Sequence, residues 1–293
     1  MSRDPVSQRE LAALELRRPG QSSGLTEVFR WRFLLQLLIK KEIRVRYRGS
    51  VLGMAWSYVK PGVQLLVYWL AMGHFLRMGQ SIPNYVVYLF SGIVMTNFFS
   101  EVMRNTTRSI IDNAPLVDKI YMPRELFPVS SLWVAFVHLL PQLAVLFVAS
   151  LITGWRPSWL ALGGLLGSVV IVAVFALGAG LAFAAFNVFF RDAENLVELV
   201  NMVAIWLTPV FYSWVFVHDA LPRWAYLIYQ ANPLAAGVQL SHAGFWSTTS
   251  GGSSVMPADF MLTLGLAALI SIVTLWAGQA IFARLEGRFA EEL

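Results

Sequence analysis

The chain has 293 residues, of which 57% are hydrophobic and 13% are charged, with a formal net charge of +5 and no cysteine. This composition is typical of a polytopic membrane protein and excludes an ordinary water-soluble domain. The lack of cysteine excludes disulfide scaffolds, thiolate metal sites and thiol catalysis.

Residues 1–25 are rich in Pro, Gly and Ser and predict a flexible cytoplasmic tail, with no signal peptide. Residues 26–48 predict an amphipathic helix that opens at Thr26, with aromatic side chains on one side and basic side chains on the other. Such a helix lies in the headgroup plane, where arginines reach lipid phosphates. The alternative is a solvated positive stripe without a membrane role.

Six long apolar stretches follow and predict six transmembrane helices. Each approaches or exceeds the roughly 20 residues that cross about 30 Å of hydrocarbon. Lipid offers the backbone no hydrogen-bond partner, so each stretch must be helical. The stretches are 51–76, 85–103, 126–153, 160–190, 197–214 and 260–282. We therefore expect an all-α membrane domain over residues 49–293, without a separate globular domain.

Lys60 lies about ten residues into the first stretch, beside Pro61 and Gly62, which predict a kink. A charge at that depth is costly unless it faces a wet cavity. The alternative is that Lys60 marks the cytoplasmic interface and the span begins near Pro61.

The link 104–125 is longer than a helix hairpin requires. Asn113 and Pro115 can start a short helix in it and Pro123 can end it, which predicts a docking surface for a partner. The segment 218–257 lies on the opposite side. Its apolar parts, 224–229 and 234–245, are too short to span and predict re-entrant helices on either side of Asn232-Pro233.

Basic residues mark one side of the predicted membrane domain. They crowd 30–48 and 104–124 and recur near the C-terminus, whereas the other side has only Arg77, Arg156 and Arg223. Because basic loops stay in the cytoplasm, both termini are expected inside. Scarce lysine beside abundant Arg, Ala and Gly favours a GC-rich bacterial genome, and the expected location is then the cytoplasmic membrane of a bacterium. The same rule accounts for the net charge, so membrane lipids rather than nucleic acid are the expected partners.

The chemistry that the sequence lacks narrows the function. It has neither a GxxxxGK[ST] phosphate loop nor an HExxH motif, and its spans hold almost no acidic residues. We therefore expect no catalytic residues, no metal site and no hydrolysis of ATP by this chain alone. The lack of a midplane carboxylate also counts against a proton- or sodium-coupled carrier. His138 is expected to be a satisfied core histidine.

Aromatic side chains recur deep in the spans. Aromatic rings can stack on the faces of sugars, and the alternative for each is plain packing between helices. The candidates for a substrate channel are Trp56, Phe98, Phe99, Trp133, Phe136, Trp206, Phe211, Tyr212 and Trp214.

Two segments together resemble the permease subunits of ABC exporters that move lipid-linked polysaccharides, such as O-antigen, teichoic-acid and capsule exporters. The first is RVRYRGSVLGMAW at 44–56, followed by Lys60-Pro61, and the second is NAPLVDKIYMPRELFP at 113–128. The motifs FFRD at 189–192 and NPL at 232–234 match in position and type. Many members carry a basic residue shortly after the Asn-Pro, where this chain has Ser241-His242.

The resemblance implies a half-transporter that pairs with a second copy of itself and with a nucleotide-binding ATPase subunit, which binds ATP and Mg²⁺. The helix at 26–48 would rest on that subunit. A coupling segment would enter its surface through Asp112, Asn113, Pro115, Leu116, Asp118, Lys119, Tyr121, Pro123, Arg124 and Glu125. The resemblance also implies an outer gate that includes Trp224, Tyr226, Asn232 and Pro233.

The substrate implied by this resemblance is a lipid-linked glycan of O-antigen, cell-wall galactan or teichoic-acid type. Its lipid diphosphate would be held near the entry by Arg44, Arg46 and Arg48 with Lys60, because arginine suits paired phosphate oxygens. Anchoring to anionic lipids is the alternative role of the arginines. The rival functions are an ABC permease for a drug, haem or lipid, a membrane glycan-processing enzyme, and a secondary carrier.

Overall fold

The computed structural model describes residues 24–119, 122–249, 256–257 and 259–293, and helices make up most of this length. The predicted all-α fold is confirmed. The α-helices of the described residues are α1 Leu25–Val28, α2 Arg32–Arg46, α3 Trp56–Tyr68, α4 Met78–Ser81, α5 Tyr85–Arg108, α6 Ala114–Lys119, α7 Leu126–Ile152, α8 Trp159–Phe189, α9 Ala193–Ala204, α10 Trp214–Ala220, α11 Arg223–Gln230, α12 Pro233–Phe245, α13 Phe260–Leu285 and α14 Phe289–Glu292. The predicted tail lies almost wholly outside the described residues.

Four helical segments of the described chain are long and apolar enough to cross a membrane: Tyr85–Arg108, Leu126–Ile152, Ala161–Phe189 and Phe260–Arg288. The other two predicted spans are less regular. The first consists of α3 and a π-helical continuation, Trp69–Phe75, and the fifth is α-helical only over α9 before it continues as turns. Pro209 favours that irregular end because it lacks an N–H and restricts the residue before it. The count of six spans stays a prediction.

The fold is organised around α5, which packs against α7, α8, α9 and α12. Apolar residues lie on all sides of α5, and Leu89, Ile93, Met95 and Phe98 have almost no exposed surface. A helix that is apolar all round is expected at the centre of a bundle rather than at its edge. The helix therefore serves as the reference along which the rest of the chain can be placed.

The closest helix crossing joins α8 to α13 through two glycines. A Cβ added at Gly178 would lie 2.5 Å from the backbone of Leu275, and one at Gly278 would overlap the Gly178 carbonyl oxygen. Small residues let helix backbones approach this closely in membranes, where van der Waals packing drives association.

The predicted amphipathic helix 26–48 is present as two helices, α1 and α2, separated by a turn at 29–31. Val28 and Leu38 are buried in a second core with the ends of α7, α8 and α13, whereas Phe29 and Phe33 are 83% and 72% exposed. The segment thus has one face against the protein and one aromatic face free for lipid or a partner.

Candidate coupling surface and substrate path

The predicted coupling segment contains the short helix expected from its sequence. A 3-10 turn at Ile111–Asn113 leads into α6, and Pro115 lies in the first turn of α6, where its missing N–H has no intrahelical partner to lose. Asn113 and Val117 are buried, whereas Asp112, Pro115 and Lys119 are exposed and Leu116 is half-buried. The segment therefore has an attached face and an open face.

Hydrogen bonds of Asn113 and ion pairs of Arg108 hold the start of this segment. The Lys41 ammonium of α2 donates to the Asn113 side-chain oxygen, and the Asn113 amide donates to the Ser109 carbonyl at 2.8 Å. Arg108 lies 3.8 Å from Asp112 and 3.7 Å from Glu194 near the start of α9. Although Asp112 is exposed, partial loss of hydration raises the pKa of its carboxyl, opposed by the charge of Arg108.

The end of the segment is attached to the C-terminal helices. The Arg124 guanidinium donates to the Glu286 carbonyl oxygen and lies over the Phe289 ring, 5.6 Å from its centroid. The Gln279 amide donates to the Glu125 carboxylate at 2.9 Å. Pro123, which lies between α6 and Arg124 in the sequence, is buried. Tyr121 lies outside the described residues, and so does the side chain of Asp118.

All four candidate phosphate-binding cations are exposed, and one of them, Arg46, is also held in an ion pair. Arg46 Nη1 lies 2.6 Å from the Glu101 carboxylate, which also accepts a hydrogen bond from His138 Nδ1 at 2.5 Å. The Tyr47 hydroxyl donates to His138 Nε2 at 2.9 Å. This cluster joins α2, α5 and α7 and makes His138 a satisfied core residue. Arg44, Arg48 and Lys60 are exposed and lie outside this cluster.

Sequence reasoning did not identify the pairing of Arg46 with Glu101. The available signal was that an acid at the cytoplasmic end of one predicted span and a histidine inside another needed a counter-charge, and the arginines just before the first span offered one. A sequence does not show which residues of different helices lie at the same level, so it did not show which arginine is paired.

The candidate channel aromatics occupy two environments. Phe98, Phe99 and Phe211 are buried in the main core, where Phe98 lies 5.0 Å from the Phe136 ring and Phe99 stacks on Phe175 at 5.8 Å. The exposed members are Trp56, Trp133 and Trp206, and the half-buried members are Phe136, Tyr212 and Trp214. In a single chain, the first group acts in packing and the others are open to a ligand, a lipid or a partner.

The predicted outer segment forms α10, α11 and α12. The Asn232 side chain caps α12 by accepting from the Leu234 N–H at 3.0 Å, and Pro233 occupies the first turn. Tyr226 is buried and accepts from the Gln230 amide at 2.9 Å, whereas Trp224 is exposed. Because α12 packs between α5 and α8, Asn232 and Pro233 fix the entry into the core.

The family model of the ABC-2 type transporter matches residues 34–246, which include α2, the coupling segment and the helices of the outer segment. The chain belongs to the ABC-2 type transporter family. An ABC-2 permease is the transport subunit of its assembly and not an enzyme, and it works with a separate ABC ATPase. The expectation of a polytopic transport subunit is confirmed.

Relatives match this ABC-2 permease along almost its whole length. The O-antigen export system permease protein RfbA of Klebsiella pneumoniae is 29% identical over 260 residues, covering 89% of this chain and 95% of the relative. RfbA of Myxococcus xanthus is 29% identical over 270 residues, covering 91% and 98%. The capsule polysaccharide export inner-membrane protein CtrC of Neisseria meningitidis is 25% identical over 277 residues.

Proposed function

We propose that this ABC-2 permease is the membrane subunit of an exporter that uses ATP to move a lipid-linked polysaccharide outward across the cytoplasmic membrane. The observation that carries the proposal is the similarity to O-antigen export permeases, at 29% identity over about nine-tenths of both chains. An ABC-2 permease for a drug, haem or another lipid is the alternative outcome of the test below.

The proposed assembly contains two copies of the chain and two ATPase subunits, which bind ATP and Mg²⁺. Exposed apolar side chains on α3, including Val63, Leu66 and Val67, support a surface that is covered by lipid or by the second copy. With both termini in the cytoplasm, as the basic residues predict, the exposed face of α6 meets the ATPase.

The contacts of the coupling segment support a mechanical role. It is joined to α2 through Lys41, to α9 through Arg108 and Glu194, and to the C-terminal helices through Arg124. ATP-driven closure of the ATPases displaces α6, and these contacts pass the displacement to separate membrane helices. The pore then opens without chemistry in the permease itself.

The exposed cations next to α3 are the proposed contacts for the lipid diphosphate. Arg44, Arg48 and Lys60 retain free surface, whereas Arg46 is bound to Glu101. The exposed aromatic side chains Trp56 and Trp133 offer the glycan stacking surfaces that carry little directional binding.

The test is depletion of the permease together with its ATPase, followed by extraction of lipid-linked glycans from the two leaflets. We expect full-length lipid-linked glycan to accumulate on the cytoplasmic side and to disappear from the surface. Re-expression of the wild-type chain restores export, whereas the Arg44→Gln/Arg48→Gln variant restores it poorly despite normal insertion. Normal surface glycan in depleted cells contradicts the proposal.

A further inference from the structure

A cavity of about 270 Å³ lies near the end of α5 that is opposite the coupling segment. Its walls come from the first turn of α5, the turn before α10 and the C-terminal half of α12. Tyr88, Trp214 and Trp246 supply aromatic surface, and Gln239 and His242 supply polar atoms. The volume lies just below the range of about 300–1,000 Å³ that is usual for ligand pockets, which suits a small ligand.

The aromatic walls are fixed by contacts within the protein. The Tyr88 ring stacks on His242 with centroids 3.8 Å apart, and Trp246 meets Tyr88 edge-on at 5.0 Å. The Tyr88 hydroxyl donates to the Pro209 carbonyl at 2.8 Å, and the Trp246 indole donates to the Pro83 carbonyl at 2.6 Å. Their donors are therefore already used, and ring surface is what these two residues offer a ligand.

Two acceptors of the lining residues have no donor among the described residues, His242 Nδ1 and the buried Gln239 Oε1, and the Ser213 hydroxyl borders the cavity and can donate. His242 Nε2 lies 3.0 Å from the Tyr88 carbonyl oxygen, which only accepts, so Nε2 carries the proton and Nδ1 presents a lone pair. The Gln239 amide nitrogen donates to Gln230, while Gln239 Oε1 is buried without a partner. No described residue donates to His242 Nδ1.

These acceptors are deeply placed, because His242 is 6% exposed and Gln239 is 3% exposed. Burying an acceptor without a hydrogen-bond partner destabilises the protein. The arrangement therefore favours a ligand that brings hydrogen-bond donors to both atoms and an apolar face to the rings.

We propose that this cavity binds one neutral sugar unit of the exported glycan, an inference that rests on the proposed function. Sugar hydroxyls donate to His242 Nδ1 and, after a shift of the side chain that exposes it, to Gln239 Oε1, and the apolar face of a pyranose ring contacts the aromatic walls. The described lining residues include no Lys or Arg. An acidic sugar or a phosphate would therefore meet two acceptors with no counter-charge. The site holds the chain at the outer end of the path and selects uncharged units.

The experiment titrates the full-length permease–ATPase complex in lipid nanodiscs with the methyl glycosides of glucose, galactose, mannose and rhamnose, and with methyl glucuronide. Tryptophan fluorescence is the readout, because Trp214 and Trp246 border the cavity. We expect a saturable response to at least one neutral glycoside and binding about tenfold weaker or more for the glucuronide, equivalent to about 1.4 kcal/mol. No saturable response to any neutral glycoside overturns the proposal, and equal affinity for the glucuronide does so too.

Two variants locate the binding. Ala243→Leu fills the cavity without touching either acceptor, and Ala220→Leu makes the same change at an exposed position of α10 outside it. We expect the first to abolish saturable binding and the second to keep wild-type affinity. His242→Phe keeps a ring against Tyr88 but removes Nδ1, and we expect it to weaken binding about tenfold or more. Unchanged affinity in Ala243→Leu overturns the proposal.

Export in cells separates this inference from the proposed function. When depletion of the wild-type permease blocks glycan export but the complex binds no neutral glycoside, the sugar site is wrong and the proposed function stands. When glycan export continues without the permease, the proposed function fails, and with it the assignment of a glycan unit to the cavity.

Discussion

Arg46, Glu101 and His138 illustrate how the membrane constrains single residues. The Glu101 side chain is 23% exposed, and two of its hydrogen-bond donors, Arg46 and His138, come from other helices. A poorly hydrated carboxylate must be paired to remain charged. The ion pair of Arg46 therefore holds α2 against α5. Its neighbours in sequence, Arg44 and Arg48, are the cations available to a substrate phosphate.

Replacing Arg46 tests whether its ion pair with Glu101 stabilises the fold. We expect Arg46→Gln to lower the free energy of unfolding by about 1 kcal/mol, because the loss of a charge-assisted hydrogen bond is moderated by partial exposure. Thermal unfolding of the purified permease in detergent measures the change. Arg44→Gln is the matched control, since Arg44 is exposed, and it should unfold at the wild-type temperature. Equal loss in both variants would contradict the pairing.

Glu42 predicts a specific pH dependence. Burial raises the pKa of its carboxyl, and this outweighs the hydrogen bond from the Ser130 hydroxyl at 2.7 Å and the nearby Lys41. A raised folded-state pKa means that the folded protein binds the proton more tightly, so charging Glu42 destabilises the fold as pH rises. The loss begins as pH passes the ordinary glutamate range and is complete above the raised pKa.

We therefore expect Glu42→Gln to raise the unfolding temperature at pH 8, since the amide oxygen still accepts from Ser130 and carries no charge. The gain should shrink towards pH 4, where the wild-type carboxyl is protonated in both states. Thermal unfolding of the two proteins at pH 4, 6 and 8 gives the comparison. A variant that is less stable than wild type at pH 8 would refute the role of burial.

At the scale of elements, length and hydropathy were sufficient for α5, α7, α8 and α13, because each is a long uninterrupted apolar helix. They were insufficient for the first and fifth spans. Hydropathy reports composition, whereas the π-helical turn at Trp69–Phe75 and the turns after α9 depend on backbone geometry that neighbouring helices impose. For the same reason, the sequence showed that a short helix would lie in the coupling segment but not which side chains attach it.

The crossing of α8 and α13 gives a prediction that involves a single added carbon. We expect Gly278→Ala to destabilise the fold by about 1–3 kcal/mol, because its Cβ has no space beside the Gly178 carbonyl. Gly265→Ala is the matched control on the same helix, where nothing lies within 4 Å of the added Cβ. It should be neutral or stabilising by up to about 1 kcal/mol. Unfolding temperatures and the yield of folded protein in membranes measure both.

The contact between Lys41 and Asn113 predicts a defect in coupling rather than in folding. We expect Lys41→Met to reduce export and glycan-stimulated ATPase activity about tenfold, because α2 no longer follows the coupling segment. Lys40→Met removes a neighbouring charge that is exposed, and it should keep wild-type activity. Assay of the permease–ATPase complex in nanodiscs, with binding of the two subunits checked separately, distinguishes uncoupling from failed assembly. Wild-type activity in Lys41→Met would contradict this role.

In the whole molecule, positions along α5 give the depth of the other segments in the membrane. From Tyr88 to Arg108 this helix measures about 30 Å at 1.5 Å per residue. Glu194 pairs with Arg108 at one end, and the Pro209 carbonyl accepts from the Tyr88 hydroxyl at the other. The segment between Glu194 and Pro209 therefore runs the length of α5, although only its first part is α-helical.

The first apolar stretch also runs along α5. Ser57 belongs to the hydrogen-bonded cluster of Tyr47 and His138, near the Glu101 level of α5. Farther along, Gln64 accepts from Asn97 at 3.0 Å, and a Cβ on Gly73 would lie 3.0 Å from the Tyr85 ring. Both irregular stretches thus run the length of α5, which supports six crossings, and six crossings would place α6 and α10 on opposite sides.

Single cysteines test this topology without background, because the chain has none of its own. Lys119 on α6 and Asp219 on α10 are exposed, and three proposed crossings separate them. With a membrane-impermeant maleimide, we expect Asp219→Cys to react in intact spheroplasts and Lys119→Cys to react only after permeabilisation. If the stretch after α9 turned back instead of crossing, the two cysteines would lie on one side and react together. The cavity beside Tyr88 would then share a side with the coupling segment, contrary to its place at the far end of α5.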